Sequence, residues 1–379
     1  MNRENDQSER IACLPFALRP FKSGASKLIA AAALSCIMYA PVLKANDDRP
    51  FLPAQVRAVP TVPGNGDVNP YGVAFVPAGF PTGGTINAGD ILVSNFNSSA
   101  NLQGTGTTIV DVPPTAPVYQ YFGGTAPLGL STALNVLRKG FVLVGNFPST
   151  DGTCGNASAG SILVIDKNGN LVSTITNPLI NGPWDSTLFD NGGSAKFFVA
   201  NGLNGTIARV DLTISNSGVT VKKITQIASS YTFACDAVTF VDAPTGLVYD
   251  AKKDVLYVAS TADNAVYAVY DAGDRNHDGG RGMLIYTDAV HLHGPLGMAM
   301  APNGDLLASN NDVINSDPNQ PSEIVEFTVE GKFVKEISMD PAQGGSFGLA
   351  VDTTGKTAKF AAVDDGTNLF LIWTLKLHE

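Results

Sequence analysis

Beyond about residue 69 the chain alternates short apolar runs with turn residues, and the pattern is clearest between His293 and Met339. There HGPLGMAMAPNGDLLASNNDV, a polar insert and SEIVEFTVEGKFVKEISM hold four such runs: Gly297 to Ala301, Leu306 to Ser309, Ile324 to Thr328 and Phe333 to Ser338. Runs this short, bounded by turn signals, predict strands. Asn303-Gly304 is a two-residue hairpin signal between the first pair, and Glu330-Gly331 joins the last pair. Four antiparallel strands in about fifty residues, opened by Gly-Pro-x-Gly, describe one blade of a β-propeller.

The opening signature recurs with substitutions at Asn69-Pro70-Tyr71-Gly72, Ala126-Pro127-Leu128-Gly129, Gly182-Pro183-Trp184-Asp185, Ala243-Pro244-Thr245-Gly246, Gly294-Pro295-Leu296-Gly297 and Gly345-Ser346-Phe347-Gly348, which predicts six blades. Each start leads to a second run ending in one register, at Asn95, Asn146, Asn201, Ser260, Asn310 and Asp364. Third strands are predicted at Thr108 to Val112, Ser161 to Asp166, Thr206 to Asp211, Ala265 to Tyr270, Glu323 to Thr328 and Leu369 to Leu375. Fourth strands follow at Val118 to Phe122, Leu171 to Thr176, Val221 to Ile227, Met283 to Thr287 and Phe333 to Met339, and the sixth blade lacks one. A ring avoids an exposed edge when one terminus lends a strand to the other's blade. Gln55 to Val62, whose prolines are tolerable on an outer edge, are expected to complete the last blade. The predicted fold is all-β: a six-bladed β-propeller of four-stranded antiparallel blades, closed by an N-terminal strand.

Residues 1–45 are of another kind. Arg10, Arg19, Lys22 and Lys27 precede the apolar run Leu28 to Leu43, which meets Lys44-Ala45-Asn46-Asp47. A basic start, an apolar stretch and a small residue before a polar one describe a secretory segment. The run is too short and too alanine-rich for a membrane span. The expected organisation is a secretory segment over 1–45, an N-terminal segment with the ring-closing strand over 46–68, and the propeller over 69–379, in a secreted or periplasmic protein. The chain carries a formal net charge of −10, which disfavours nucleic acid and anionic membrane. The expected partner is a small polar ligand or a protein. Loss of the leader removes Cys13 and Cys36 and leaves Cys154 and Cys235. A lone pair in an oxidising compartment is more often bridged than free, and both fall in loops on one face. A Cys154–Cys235 disulfide covering part of the central pocket is expected.

The P-x-G inner strand followed by LYVAS…DNAVYAV, clearest in Pro244 to Tyr270 and Pro295 to Phe327, resembles NHL-repeat six-bladed propellers within the broader regucalcin and gluconolactonase-like class. The resemblance covers most of residues 69–375 and implies a scaffold rather than a reaction. Lactonases of that look hold a divalent metal through a Glu at the start of the first blade, with Asn and Asp farther on. Here no blade opens with Glu. The reading is therefore a ligand-binding or protein-interaction module, with a metal-assisted, lactonase-like hydrolase or a lyase acting on a small polar substrate as the alternative.

In a four-stranded meander the loops between strands two and three share a face with the connections between blades, so the long inserts 97–106, 148–160 and 311–321 surround one central depression. The second-strand ends bring Asn95, Asn146, Asn201, Asn310 and Asp364 to that face, either as a ring of oxygens for a polar ligand or as caps on nearby backbone donors. Asp185 replaces a blade-opening glycine and would stand near the channel. His291 and His293 lie in the connection to blade five, as a loop pair or as two ligands short of a third. Asp274-Arg275-Asn276-His277-Asp278-Gly279 matches the opening of a calcium loop, with Asp274, Asn276 and Asp278 as oxygen ligands; Ile285 stands where the bidentate Glu belongs. It reads as a structural calcium site or as a polar hairpin turn, on the face opposite the depression. No Ser-His-Asp order, HExxH, P-loop or CxxC pair is present.

Overall fold

The computed structural model describes residues 50–52, 57–319, 321, 323–354 and 357–376; the expected secretory segment lies outside them. Six four-stranded antiparallel sheets are present. Their inner strands are Val68–Phe75, Leu130–Leu137, Pro183–Asp190, Pro244–Asp250, Pro295–Met300 and Ser346–Asp352. In five blades the strands follow in chain order from the axis outward. The sixth is completed by Arg57–Pro60, which pairs antiparallel with Leu369–Lys376 from Arg57 opposite Ile372 to Pro60 opposite Leu369. The ring closes as expected, and Pro60 sits on an outer edge where its missing N–H costs nothing.

The glycine of the opening motif is a packing device. A Cβ at Gly246 would strike the carbonyl oxygen of Leu296, one at Gly297 that of Phe347, and one at Gly348 that of Tyr71. Each glycine thus lets its inner strand approach the next blade. Beyond this contact, apolar side chains fill the clefts between blades, as Phe198, Leu247, Leu256 and Val258 do between blades three and four.

Two expectations need correction. Blade two does not open at Ala126-Pro127-Leu128-Gly129. Leu130, opposite Asn146, takes the place that Pro70, Pro183, Pro244 and Pro295 hold in their blades. Thr132 and Ala133 together fill the place of one glycine, since the five residues from Leu130 to Leu134 span only three on the partner strand, Asn146 to Val144, where the four from Pro295 to Met298 span three in blade five. The second correction is in the connection to blade four, which contains its own hairpin, Ala234–Asp236 with Phe240–Asp242.

Candidate functional site

The middle of the ring is closed by aromatic side chains from equivalent places in different blades. Tyr71 and Phe347 follow the motif proline position and stack at 3.8 Å, and Tyr71 also stacks on Phe96 at 4.7 Å. Trp184, in the same motif place, sets its edge or face against Tyr71, Phe96, Phe147, Phe240 and Phe347. Rings offset or edge-on in this way each add about 0.5–1.5 kcal/mol beyond their burial. Phe240 arrives from the extra hairpin with φ of 69°, a left-handed conformation that costs an L-residue about 1–2 kcal/mol. The hairpin is tied to the loop of blade two by the Cys154–Cys235 disulfide, with α-carbons 5.4 Å apart, within the usual span.

Above this plug, on the loop-rich face, lies a depression of about 590 Å³. Tyr71, Leu296 and Phe347 floor it, and the disulfide-tied hairpin contributes Val238 and Thr239 to the wall, so the hairpin covers part of it. Most of the rest of the wall is amides and acids, Asn69, Asn97, Asn101, Gln103, Asn311, Gln343 and Asn368 with Asp312 and Asp365, alongside Val68, Ser99, Val313 and two glycines. Several amides are organised among themselves. Asn97 Nδ2 donates to Asn101 Oδ1 at 2.8 Å, Gln103 Nε2 to the Val238 carbonyl at 2.8 Å, and Asn368 Oδ1 accepts the Asn69 N–H at 2.7 Å. Asn97 Oδ1 and Gln103 Oε1 receive no protein donor. Among the described residues no Lys, Arg or His lines the depression.

The acids are poised. Burial, and then the charge of Asp364 beside it, lifts the Asp365 carboxyl to about 7. Below the wall, Glu323 is buried beside Asp312 and is lifted to about 8 by burial and then by the Asp312 charge. Asn310 Nδ2 approaches Glu323 Oε2 at 3.4 Å, and Asp312 Oδ2 accepts the Gly344 N–H at 3.2 Å. A carboxyl near 7 exchanges protons readily at neutral pH.

The sequence-predicted ring lies next to this wall, not in it. Asn146 Oδ1 accepts the Gly129 N–H, Asn201 Oδ1 that of Asn181 and Asn310 Oδ1 that of His293, each at 2.9–3.0 Å, so each amide staples its strand end to the preceding connection. Asn95 Nδ2 reaches the Thr61 carbonyl at 3.4 Å, and Asp364 caps Thr367. The residues that do line the depression come one or two places later: Asn97, Asn311, Asp312 and Asp365. The two histidines part company. His291 stacks on Phe333 and meets Asp288 Oδ2 at 2.7 Å, whereas His293 is buried with Nδ1 on the Asn315 carbonyl. Asp185 stands on the axis but below the plug, in a different cavity.

The calcium-like loop does not gather its oxygens. Asp274 pairs with Lys196 at 2.8 Å, Asn276 Oδ1 accepts from Lys223 at 2.9 Å, and Asp278 Oδ2 accepts from Gln226 at 2.8 Å. Three separate donors on blade three pull them apart. Among the described residues no group of three or more His, Cys, Asp or Glu side chains could hold a metal ion, and the wall has no Glu to take the place of the lactonase pattern's first ligand.

No protein-family model and no curated protein matches the sequence. Solved structures do. A protein assigned as a gluconolactonase superposes with a TM-score of 0.53 at 13% identity, covering 86% of this chain and 96% of its own. A gluconolactonase from Xanthomonas campestris gives 0.52 at 13%, covering 84% and 89%. The calcium-binding protein regucalcin from Agrobacterium tumefaciens gives 0.50 at 11%, covering 84% and 93%. The fold is that of the gluconolactonase and regucalcin-like propellers. Identity this low speaks for the scaffold alone, since one propeller hosts many chemistries. What sequence reasoning missed within that scaffold was the motif residue between proline and glycine: Tyr71, Trp184, Leu296 and Phe347 recur in one place and build the plug and floor. Reading that column across the blades would have found them.

Proposed function

We propose that the protein is an exported binding module whose loop-rich depression takes a small, neutral, polyhydroxylated ligand. The observation that carries this is the make-up of the wall: amides from several blades, the carboxyl groups of Asp312 and Asp365 and, among the described residues, no cationic side chain. Hydroxyl groups pair with amides and carboxyls as donors and acceptors, while anions are disfavoured by Asp312 and Asp365. Export is supported by the disulfide, which persists in oxidising compartments. Among the described residues no helix is long and apolar enough to cross a membrane.

A second reading, hydrolysis of a lactone without a metal, is favoured by Asp365, a carboxyl near 7 at the wall of the depression. One experiment weighs both. Calorimetric titration with neutral monosaccharides, inositol and matching sugar acids should show binding of a neutral polyol, at least about tenfold weaker in Asp365→Asn, the usual scale for a lost hydrogen bond to a charged group. Equal binding of the anionic sugar acids, or no neutral binding at millimolar ligand, would sink the first reading. Metal-independent lactone turnover that disappears in Asp365→Asn would establish the second.

A further inference from the structure

On the face of short turns the inner strands enclose a second axial cavity of about 380 Å³, on the other side of the aromatic plug from the depression. Its wall is largely backbone. Each inner strand is the terminal strand of its sheet and pairs on one side only, so six unpaired edges face the axis. Side chains around it such as Leu134, Leu247, Met298 and Leu349 turn into the clefts between blades.

Four blades keep glycine at the motif position. Blade three has Asp185 and blade two the pair Thr132-Ala133. Both polar residues line the cavity. Asp185 is 6% exposed, and its one protein hydrogen bond is from the Ser186 N–H to Oδ1 at 2.6 Å. Thr132 is 5% exposed and its hydroxyl has no partner. Among the described residues no Lys, Arg or His lines the cavity. The one other titratable side chain among the described residues there, Tyr249, donates its hydroxyl to Asp254 at 2.8 Å. A buried carboxylate with no cation carries a heavy desolvation penalty, and burial accordingly holds the Asp185 carboxyl well above the ordinary carboxylate range.

We propose that this channel binds a small primary ammonium compound, its head on Asp185 and Thr132 and its remaining donor on an inner-strand carbonyl. A carboxyl, a hydroxyl and carbonyl edges are acceptors for three N–H groups, and one carboxylate balances one positive charge. The cavity has room for roughly a dozen waters at about 30 Å³ each. An alkali ion would leave nearly all of that space to solvent, whereas the chain of an organic cation displaces part of it. The ligand arrives as the ammonium, and the proton that burial favours on the Asp185 carboxyl leaves for solvent as its O–H bond breaks, so the bound pair is neutral. Nothing in this depends on what the depression binds.

The test is calorimetric titration at pH 7 with 1-aminopropane, with 1-propanol and potassium chloride as the neutral and alkali-ion arms, in two buffers of different ionisation enthalpy. Saturable binding of the amine, net proton release on binding, and at least tenfold weaker binding by Asp185→Asn are expected. Asp185→Asn is close in shape to the protonated acid and should fold, which its melting curve checks. Thr132→Val retains the carboxyl and should weaken the amine several-fold; it decides the matter if Asp185→Asn does not fold. Unchanged affinity in both variants, saturation by potassium chloride or 1-propanol at the same concentration, or no proton release would each overturn the proposal.

Discussion

Glu323 shows how one buried carboxyl couples the depression to pH. Its burial and the neighbouring Asp312 charge favour the protonated form, lifting it from 4.5 to about 8. Between those values the folded protein holds a proton that the unfolded chain has released, so the folded state binds more protons and stability falls as pH rises. The melting temperature should decline by several degrees from about pH 5 to pH 8, and Glu323→Gln, which removes the titration, should flatten the decline. A wild-type curve that is level across that window would contradict a buried Glu323 carboxyl held protonated by burial and the Asp312 charge. The same local logic explains why Asn95, Asn146, Asn201 and Asn310 were easy to pick from the sequence and hard to assign. A strand-end amide is legible as a type at a position, but whether it turns to a ligand or to the preceding connection depends on how that connection returns.

Among elements, the closing strand carries the sharpest expectation. Arg57–Pro60 completes the sixth sheet, and just before it the Phe51 N–H donates to both carboxylate oxygens of Glu326 at 2.8 and 2.9 Å, with the Leu52 N–H at 3.1 Å from Oε2. Leu52 is buried in the cluster that holds Phe360 and Trp373. Deleting residues 51–62 strips that cover, bares the edge of Leu369–Lys376 and leaves Glu326 without these donors. The truncated protein should melt about 5 °C lower or more and self-associate; a monomer with an unchanged midpoint in scanning calorimetry would refute strand donation. The element misplaced from sequence is the start of blade two. Ala126-Pro127-Leu128-Gly129 imitates the motif, but the inner strand begins at Leu130 and carries an additional residue in its bulge, which only the pairing with Asn146 and Val144 reveals.

For the whole molecule, the aromatic plug is the feature that divides function. It separates the amide-lined depression from the backbone-lined channel, and Trp184 is its hub, fully buried against five other rings. Trp184→Ala should cost about 3–5 kcal/mol of stability, measurable by denaturant unfolding. It should also weaken ligand binding at the depression through loss of support for Tyr71 and Phe347. A cost below about 1 kcal/mol would mean that the rings merely fill space and do not hold the axis.

The sequence by itself determined the six blades, their four-stranded order, the closing strand and the Cys154–Cys235 pairing. Each follows from local patterns, namely run length, turn residues, a repeating motif and the two cysteines that fall within the propeller, Cys154 and Cys235. The tertiary structure alone decided where chemistry can occur. Tyr71, Phe96, Phe147, Trp184, Phe240 and Phe347 are scattered over the chain and meet only because ring closure brings their blades to one axis. Likewise Glu323 acquires its proton affinity from burial and the neighbouring Asp312 charge, which no residue spacing encodes. Asp274, Asn276 and Asp278 had the spacing of a cation loop, and the neighbouring blade's Lys196, Lys223 and Gln226 drew their oxygens apart.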